Sequence, residues 1–156
     1  MLLRPLRADD YDGLYDVASD PLVWEQHPAR NRHEEPVFRA LFAEALDSGG
    51  ALVIVDRATG AVIGSSRYHG YDPATSVVEI GWTFLARSHW GGVFNGEVKR
   101  LMLDHAFRSV RRVVFRVGPQ NIRSQRALER IGAARVGLAK DATGRENVLF
   151  EISAPR

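Results

Sequence analysis

The sequence predicts an α+β fold in which one mixed, mostly antiparallel sheet of about seven strands is flanked by about four helices. Residues 51–55, 61–68 and 76–85 are strand-like runs separated only by short turns, and short connections favour antiparallel neighbours. Helical apolar spacing flanks these strands at residues 34–48 and again from residue 94 onward. With the terminal elements added, the predicted order is βααβββαβαββ.

The first third of the chain is predicted to be mainly helical. Residues 2–6 form a short strand candidate, and Pro5 favours an edge position. Asp9 and Asp10 then stand where a helix N-cap and first turn are expected. Three prolines indicate that residues 19–33 form a loop with short helical turns at most, and Glu34 and Glu35 open the next helix.

The strand at 76–85 is the most informative element. Val78, Ile80, Trp82 and Phe84 alternate, which predicts that they share one face, while Gly81 indicates a bulge or the close approach of another backbone. The elements expected after it are a long helix from residue 94, a strand at 112–117, a short helix at 121–130 and two strands at 134–139 and 147–152.

Composition narrows the class of protein. A chain of 156 residues predicts a single domain over residues 1–156, and 45% hydrophobic with 26% charged residues is ordinary for a globular protein. The absence of Cys excludes disulfides, thiolate metal sites and a cysteine nucleophile. No run of 18 apolar residues and no apolar signal segment is present, so we expect a cytoplasmic protein that does not bind membranes.

Charge is unevenly distributed along the chain. Residues 1–50 hold five basic and ten acidic residues, whereas residues 51–156 hold sixteen basic and nine acidic residues. An acidic first third and a basic remainder could serve a cationic substrate and an anionic cofactor; the alternative is solvated surface charge.

A glycine-rich turn between a strand and a helix is the clearest local signal for a binding site. Trp90, Gly91 and Gly92 precede the long helix, and free backbone N–H groups at a helix start favour phosphate. The alternative is an ordinary strand-to-helix turn. The pattern is neither GxGxxG nor GxxxxGK[ST], which argues against a dinucleotide fold or a P-loop nucleotide hydrolase.

Four segments together resemble the GNAT superfamily of acetyl-CoA-dependent N-acetyltransferases. Their residues are Leu3-Arg4-Pro5-Leu6 with Asp9-Asp10, Ile63-Gly64, Glu79-Ile80-Gly81-Trp82 followed by His89-Trp90-Gly91-Gly92, and Asn121 through Gly132. The resemblance covers nearly the whole chain, and the last segment is the most specific. It is closest to the branch of ribosomal-protein N-terminal acetyltransferases and small-molecule acetyltransferases.

The resemblance implies that the strands at 76–85 and 112–118 diverge and that acetyl-CoA lies in the gap. It implies that the coenzyme contacts Phe84, Leu85, Arg87, Trp90, Gly91, Gly92, Val93, Phe94, Asn95, Asn121, Ser124 and Arg126. Arg123 adds positive charge near the phosphates. It further implies an amine acceptor, a small molecule or a peptide N-terminus, and a homodimer as one assembly open to the chain.

Three positions depart from the family pattern. Ser88 and Val93 stand where the phosphate cradle usually has Gln or Arg and Gly or Ala. Leu128 stands where many members have a Tyr that protonates the leaving thiolate, so Ser124 or water must serve, or the thiolate leaves unassisted.

Glu79 is the first candidate for the general base, because it is the only acid in its strand. The alternative for Glu79 is a cross-strand ion pair. The acceptor candidates are Trp24, Glu25, His27, Tyr68 and His69, although Trp24 could serve only in the core.

Three other functions are weaker. The first is a non-catalytic acyl-CoA-binding or sensing domain of the same fold, which Leu128 favours. The second is nucleic-acid binding, which we do not expect because the arginines fall on several elements without interleaved exposed aromatics. A metalloenzyme is the third, and no HExxH motif or other metal-ligand spacing is present.

Overall fold

The computed structural model of residues 1–156 contains one seven-stranded sheet with the strand order β1-β2-β3-β4-β5-β7-β6. The β4–β5 pair is parallel and every other pair is antiparallel. The strands are β1 Leu2–Pro5, β2 Ala51–Val55, β3 Val62–Asp72, β4 Val77–Leu85, β5 Arg112–Val117, β6 Ala134–Lys140 and β7 Glu146–Ser153. The helices are α1 Tyr11–Ala18, α2 Glu35–Ser48, α3 Phe94–Ala106 and α4 Ile122–Arg130. The predicted fold class and element order are confirmed.

Helices cover both faces of this sheet and create two apolar cores. Neighbouring residues of β2 separate them: the side chain of Val53 belongs to the core under α1 and α2, and that of Ile54 to the core under α3 and α4. A strand buried on both faces reads as a continuous apolar run, as residues 51–55 do. None of the helices combines the length and the apolar character needed to cross a membrane.

The middle of β4 contains a bulge. Gly81 is opposite Arg67 of β3 and Phe84 is opposite Ser65, so two β4 residues share one partner position. Trp82, one of the two, has φ +51°, a left-handed conformation that is uncommon for a bulky side chain. The bulge that Gly81 indicated is therefore present.

The bulge overturns the predicted alternation along β4. Val78 and Ile80 pack in the α3/α4 core, but Phe84 packs against the α1/α2 core. An extra residue shifts every later side chain to the opposite face. The prediction that Phe84 shares a face with Ile80 is wrong for this reason.

β4 and β5 separate soon after they meet. Their parallel register covers only Val77–Glu79 against Arg112–Val114. Beyond it β4 continues alongside β3, while β5 stays paired with β7 as far as Val117. The backbone of β4 after Glu79 consequently has no partner on β5, and a wedge opens between the strands.

Local signals set the ends of the elements beside this wedge. Asn121 caps α4 by accepting a hydrogen bond from the Ser124 amide at 3.3 Å, as expected. The loop before α2 contains only two short 3₁₀ turns, also as expected. β3 is longer than predicted, because it pairs with β4 as far as Asp72.

Candidate active site

The wedge between β4 and β5 forms a cleft of about 190 Å³. One wall is β4 from Ile80 to Leu85, and the other is β5 and the residues after it, from Phe115 to Gly118. Helix α4 closes one side with Asn121 and Ser124, and Asn95 of α3 lies on the other. The cleft therefore brings together Phe84, Leu85, Trp90, Asn95, Asn121 and Ser124 of the set predicted for the cofactor.

The glycine-rich turn adjoins this cleft: Trp90 before it and Asn95 after it line the cleft, whereas Gly91, Gly92, Val93 and Phe94 do not. Gly91 has φ +69° and open space where a side chain would be, and Val93 is 75% exposed. No side chain caps the first turn of α3. Uncapped amides at a helix start attract anions, so the predicted binding of pyrophosphate at this turn stays a prediction. The ring centroid of Phe94 lies 4.7 Å from that of His89, so these two rings pack together across the turn.

Arg123 spans the mouth of the cleft. Its guanidinium lies 3.7 Å from the Trp90 ring centroid and donates to the Val23 carbonyl at 3.3 Å. Trp90 in turn donates its indole N–H to the Leu85 carbonyl at 2.9 Å. Burial lowers the pKa of Arg123, and nearby Glu25 partly offsets that effect. The group remains a cation at neutral pH.

Two cations predicted for the phosphates lie elsewhere. Arg87 pairs with Asp20 and lines a separate surface depression beside α1. Arg126 is exposed on α4 and does not line the cleft. Sequence spacing placed both near the turn, but it could not show which way each side chain points.

A second cavity, of about 790 Å³, adjoins the cleft. The two share His27, Gly81, Trp82, Arg116 and Gly118. The meeting point is therefore the bulge of β4, where a group bound in one cavity can reach a group bound in the other.

Glu79 lies in the second cavity immediately before that meeting point. Its Oε1 is 3.6 Å from where a side chain on Gly81 would begin, so the carboxylate extends along β4 toward the bulge. Arg116 Nε is 3.6 Å from Glu79 Oε2, so Glu79 also forms the ion pair that was the alternative to a role as base. Burial raises the pKa of Glu79, opposed by Arg116 and His69. A carboxylate with a raised pKa is a better base.

His27 lines both cavities as a neutral hydrogen-bond donor. Its Nδ1 accepts from the Ala29 amide at 2.9 Å, so the ring proton of the neutral form is on Nε2. Burial, reinforced by Arg32, lowers the pKa of His27 to about 3. With Nδ1 occupied and Nε2 protonated, His27 cannot accept a proton at neutral pH.

The remaining candidates for binding the acceptor lie in different parts of the structure. His69 lines the second cavity, with its ring 5.1 Å from that of Trp82. Trp24 belongs to the α1/α2 core and also lines the cleft. It is 2% exposed and donates its indole N–H to the Ala18 carbonyl. Tyr68 points to α3 and donates to the Met102 carbonyl at 2.6 Å, and Glu25 is exposed; neither lines a cavity.

Lys99 is the functional candidate that the sequence reasoning missed. It lines the cleft from α3, is 6% exposed and donates to Thr83 Oγ1 at 2.7 Å. Burial lowers its pKa to about 8. A lysine between Val98 and Leu101 on an apolar helix stripe was a usable signal, because a lysine is rarely buried without a reason.

Leu128 is buried on α4 and lines the same cleft. Thr83, Lys99 and Ser124 are protic side chains that line the cleft together with Leu128. No three His, Asp or Glu side chains come together in an arrangement that could hold a metal ion.

Comparison with known proteins identifies the class of this site. A family model described as an acetyltransferase (GNAT) domain matches residues 1–134. The uncharacterized N-acetyltransferase p20 of Bacillus licheniformis is 29% identical over 97% of this chain and 89% of its own length. A putative acetyltransferase from T. thermophilus superposes with a TM-score of 0.77 at 29% identity, covering 97% of this chain and 84% of that one. RimJ of Mycobacterium smegmatis, solved in complex with CoA-disulfide, has the same fold, with a TM-score of 0.71 at 24% identity over 97% of this chain and 81% of its own.

Proposed function

This chain belongs to the GNAT family of acetyltransferases, and we propose that it moves the acetyl group of acetyl-CoA to a primary amine by direct attack in a ternary complex. It is an acetyl-CoA-dependent acyltransferase. The observation that carries the proposed reaction is the junction of two cavities at the bulge of β4, with the Glu79 carboxylate directed toward it. The amine is a small molecule or a peptide N-terminus.

Acetyl-CoA would lie in the wedge and supply the thioester carbonyl that the amine attacks. The unpaired backbone of β4 supports an extended contact with the pantetheine arm, with Asn121 and Ser124 facing it from α4. The turn from Gly91 to Phe94 supports pyrophosphate binding, and Arg123 adds charge at the mouth. A β4 amide near Leu85 would polarise the carbonyl.

Glu79 would take a proton from the amine, directly or through water. An alkylammonium ion has no lone pair, so a base must deprotonate it before attack. The raised pKa of Glu79 brings its basicity closer to that of the amine. The neutral nitrogen then attacks the carbonyl carbon, and as the carbon–sulfur bond breaks its electron pair stays on sulfur. The nitrogen gives up its second proton to water, which leaves a neutral amide.

Lys99 and Ser124 are the two candidates to protonate that sulfur. A thiol has a pKa of about 8.5, so a donor of similar acidity suits it. The ammonium of Lys99, with a pKa of about 8, meets this condition, whereas a serine hydroxyl is a far weaker acid. We favour Lys99, with Thr83 holding its Nζ in place.

The test measures release of free thiol from acetyl-CoA with a panel of amines and N-terminal peptides. Glu79→Gln should lower kcat about 10²- to 10⁴-fold, the usual effect of losing a general base. The matched control is Glu129→Gln. Glu129 is exposed on α4 and lines neither cavity.

A different result would favour a non-catalytic acyl-CoA-binding domain, which the leucine at position 128 also supports. In that case acetyl-CoA would raise the melting temperature, no amine would accelerate thiol release, and the Glu79 variant would behave like wild type.

A further inference from the structure

The acidic first third of the chain does not line the second cavity, which would hold the acceptor amine and is also called the acceptor cavity. None of the ten acidic residues in residues 1–50 lines the cleft or the second cavity. Asp10, Asp20 and Glu35 pair with arginines elsewhere. Glu44 pairs with Arg67, and it also lies near enough to Arg32 to raise the pKa of that residue without pairing with it. The charge asymmetry therefore gives no support to a cationic acceptor.

The second cavity has a surplus of cations. Its charged lining residues are five cations and three anions: Arg32, Arg112, Arg116, Lys140 and Arg145 against Asp72, Glu79 and Asp141. Arg112 and Arg116 have carboxylate partners, Glu151 and Glu79 respectively. The other three cations have no carboxylate within 4.0 Å.

The remaining carboxylates of the cavity are occupied by their own turns. Asp72 accepts from the Ala74 amide and the Thr75 hydroxyl. Asp141 accepts from the Thr143 hydroxyl and from the amides of Thr143 and Arg145. Both carboxylates are hydrogen-bonded within their own turns and stay ionised, so the five cations of the cavity still outnumber its three anions.

Arg32 is the most notable of these cations because it is half-buried. Its guanidinium lies 5.6 Å from the Trp24 ring centroid, and its Nη1 is 3.3 Å from Nε2 of His27. Since Nε2 carries the ring proton, two donors face each other and no acceptor lies between them. Burial lowers the pKa of Arg32 to about 10, and nearby Glu44 opposes that shift, so a partly desolvated cation without a carboxylate partner faces the cavity.

We infer that the acceptor is a small amine that also carries an oxyanion, a carboxylate or a phosphate. The oxyanion would accept hydrogen bonds from Arg32 and from Nε2 of His27, with Arg145 adding charge at the rim, while the amino group would lie by Glu79. Planar, charge-assisted recognition of an oxyanion is what a guanidinium does best. This inference rests on the proposed acetyl transfer and specifies its substrate class.

The experiment compares amines that differ only in the oxyanion. The pairs are β-alanine with 3-aminopropanol, methionine with 3-(methylthio)propylamine, and O-phosphoethanolamine with ethanolamine; spermidine and a neutral peptide N-terminus complete the panel. The oxyanion member should show the higher kcat/KM, and the carboxylate and phosphate arms distinguish the two sources of charge. Preference for spermidine, the peptide or the uncharged members would overturn the inference.

Arg32→Met should raise the KM for the preferred oxyanion amine about 10- to 100-fold, with little change in the KM for acetyl-CoA. The matched control is Arg30→Met, because Arg30 lies on the same 3₁₀ turn but is exposed and lines neither cavity. Arg145→Met, at an exposed position, provides a second variant whose folding is safe. An Arg32 variant that is folded and has an unchanged amine KM would refute the assignment.

The experiments distinguish failure of the oxyanion inference from failure of the proposed acetyl transfer. Acetylation of amines without regard to an oxyanion removes this inference and leaves amine acetyltransfer standing. Absence of turnover with every amine removes the proposed function, and calorimetry of β-alanine and O-phosphoethanolamine into the CoA-bound protein then decides the oxyanion site. Binding that is lost in Arg32→Met supports the site, and absence of binding overturns it.

Discussion

Lys99 shows how one residue can link the chemistry of the cleft to the stability of the fold. Its ammonium is buried between α3 and the sheet, with Thr83 Oγ1 at 2.7 Å and the Phe115 ring centroid at 5.5 Å as its nearest compensation. No carboxylate pairs with it. The folded protein therefore tolerates a costly charge at the site where a proton donor is needed.

The stability of the protein should rise with pH because of Lys99. Its pKa is 10.5 in an unfolded chain and about 8 when folded, so between these values the unfolded state binds more protons. The free energy of unfolding then increases from pH 8 to pH 10.5, by roughly 3 kcal/mol from this one group. Lys99→Met should remove that slope in urea melts taken across the range. Lys140→Met is the control, because Lys140 is exposed. An unchanged slope in Lys99→Met would contradict the burial argument.

The same variant tests the proton donor. If Lys99 protonates sulfur, wild-type kcat should fall as the pH rises through about 8, and Lys99→Met should lose that descending limb along with most of its rate. Ser124→Ala should keep it. Loss of most of the rate in Ser124→Ala, with Lys99→Met still fully active, would assign the role to Ser124 instead.

Among the elements, the loop before α2 forms the wall between solvent and the acceptor cavity. It is fixed to α4 by the Gln26 side chain, which accepts from the Arg123 amide at 3.1 Å, and to the end of β5 by contact between Pro28 and Gly118. A side chain on Gly118 would lie 2.4 Å from Pro28 Cγ, which is closer than any real contact. Only glycine fits there.

Gly118→Ala should displace that loop and loosen the acceptor cavity. We expect a larger rise in the KM for the amine than for acetyl-CoA, because Pro28 lines only the second cavity. Steady-state kinetics with each substrate varied in turn measures the two effects. Equal changes in both constants would show that the contact serves general stability rather than the acceptor wall.

The regular elements were predictable, whereas the placement of the site side chains was not. Apolar spacing at 34–48 and the strand-like run at 51–55 fixed their types and order, because burial demands those periods. Gly81 indicated the bulge, but not that Phe84 would change face, since a bulge residue cannot be located from one glycine. Arg87 and Arg126 lie near the motif in sequence, yet the pairing of one with Asp20 and the outward position of the other depend on tertiary structure.

At the scale of the whole molecule, the wedge divides the sheet into two parts, β1–β4 and β5–β7. The direct strand contact between them is the short register from Val77 to Glu79. A ligand that fills the wedge contacts both parts, so it should stabilise the native state as a unit.

Acetyl-CoA should accordingly raise the melting temperature. At a hundredfold excess over Kd the expected stabilisation is about 2.7 kcal/mol. S-acetylpantetheine lacks the pyrophosphate and should give a smaller shift at equal concentration if the turn at Gly91 binds phosphate. Equal shifts with the two compounds would argue that the turn contributes nothing.

The bulge at Trp82 also limits how this enzyme can diversify. The residues around the bulge belong to both cores: Ile80 and Leu85 are part of the α3/α4 core, and Phe84 packs against the α1/α2 core. A substitution made there to suit a new acceptor therefore also weakens folding. Two other segments line the second cavity and contribute little to the cores. They are the loop with His27 and Arg32 and the β6–β7 turn with Asp141 and Arg145. New specificity is therefore most readily acquired at those two borders, where substitutions alter recognition at small cost to the scaffold.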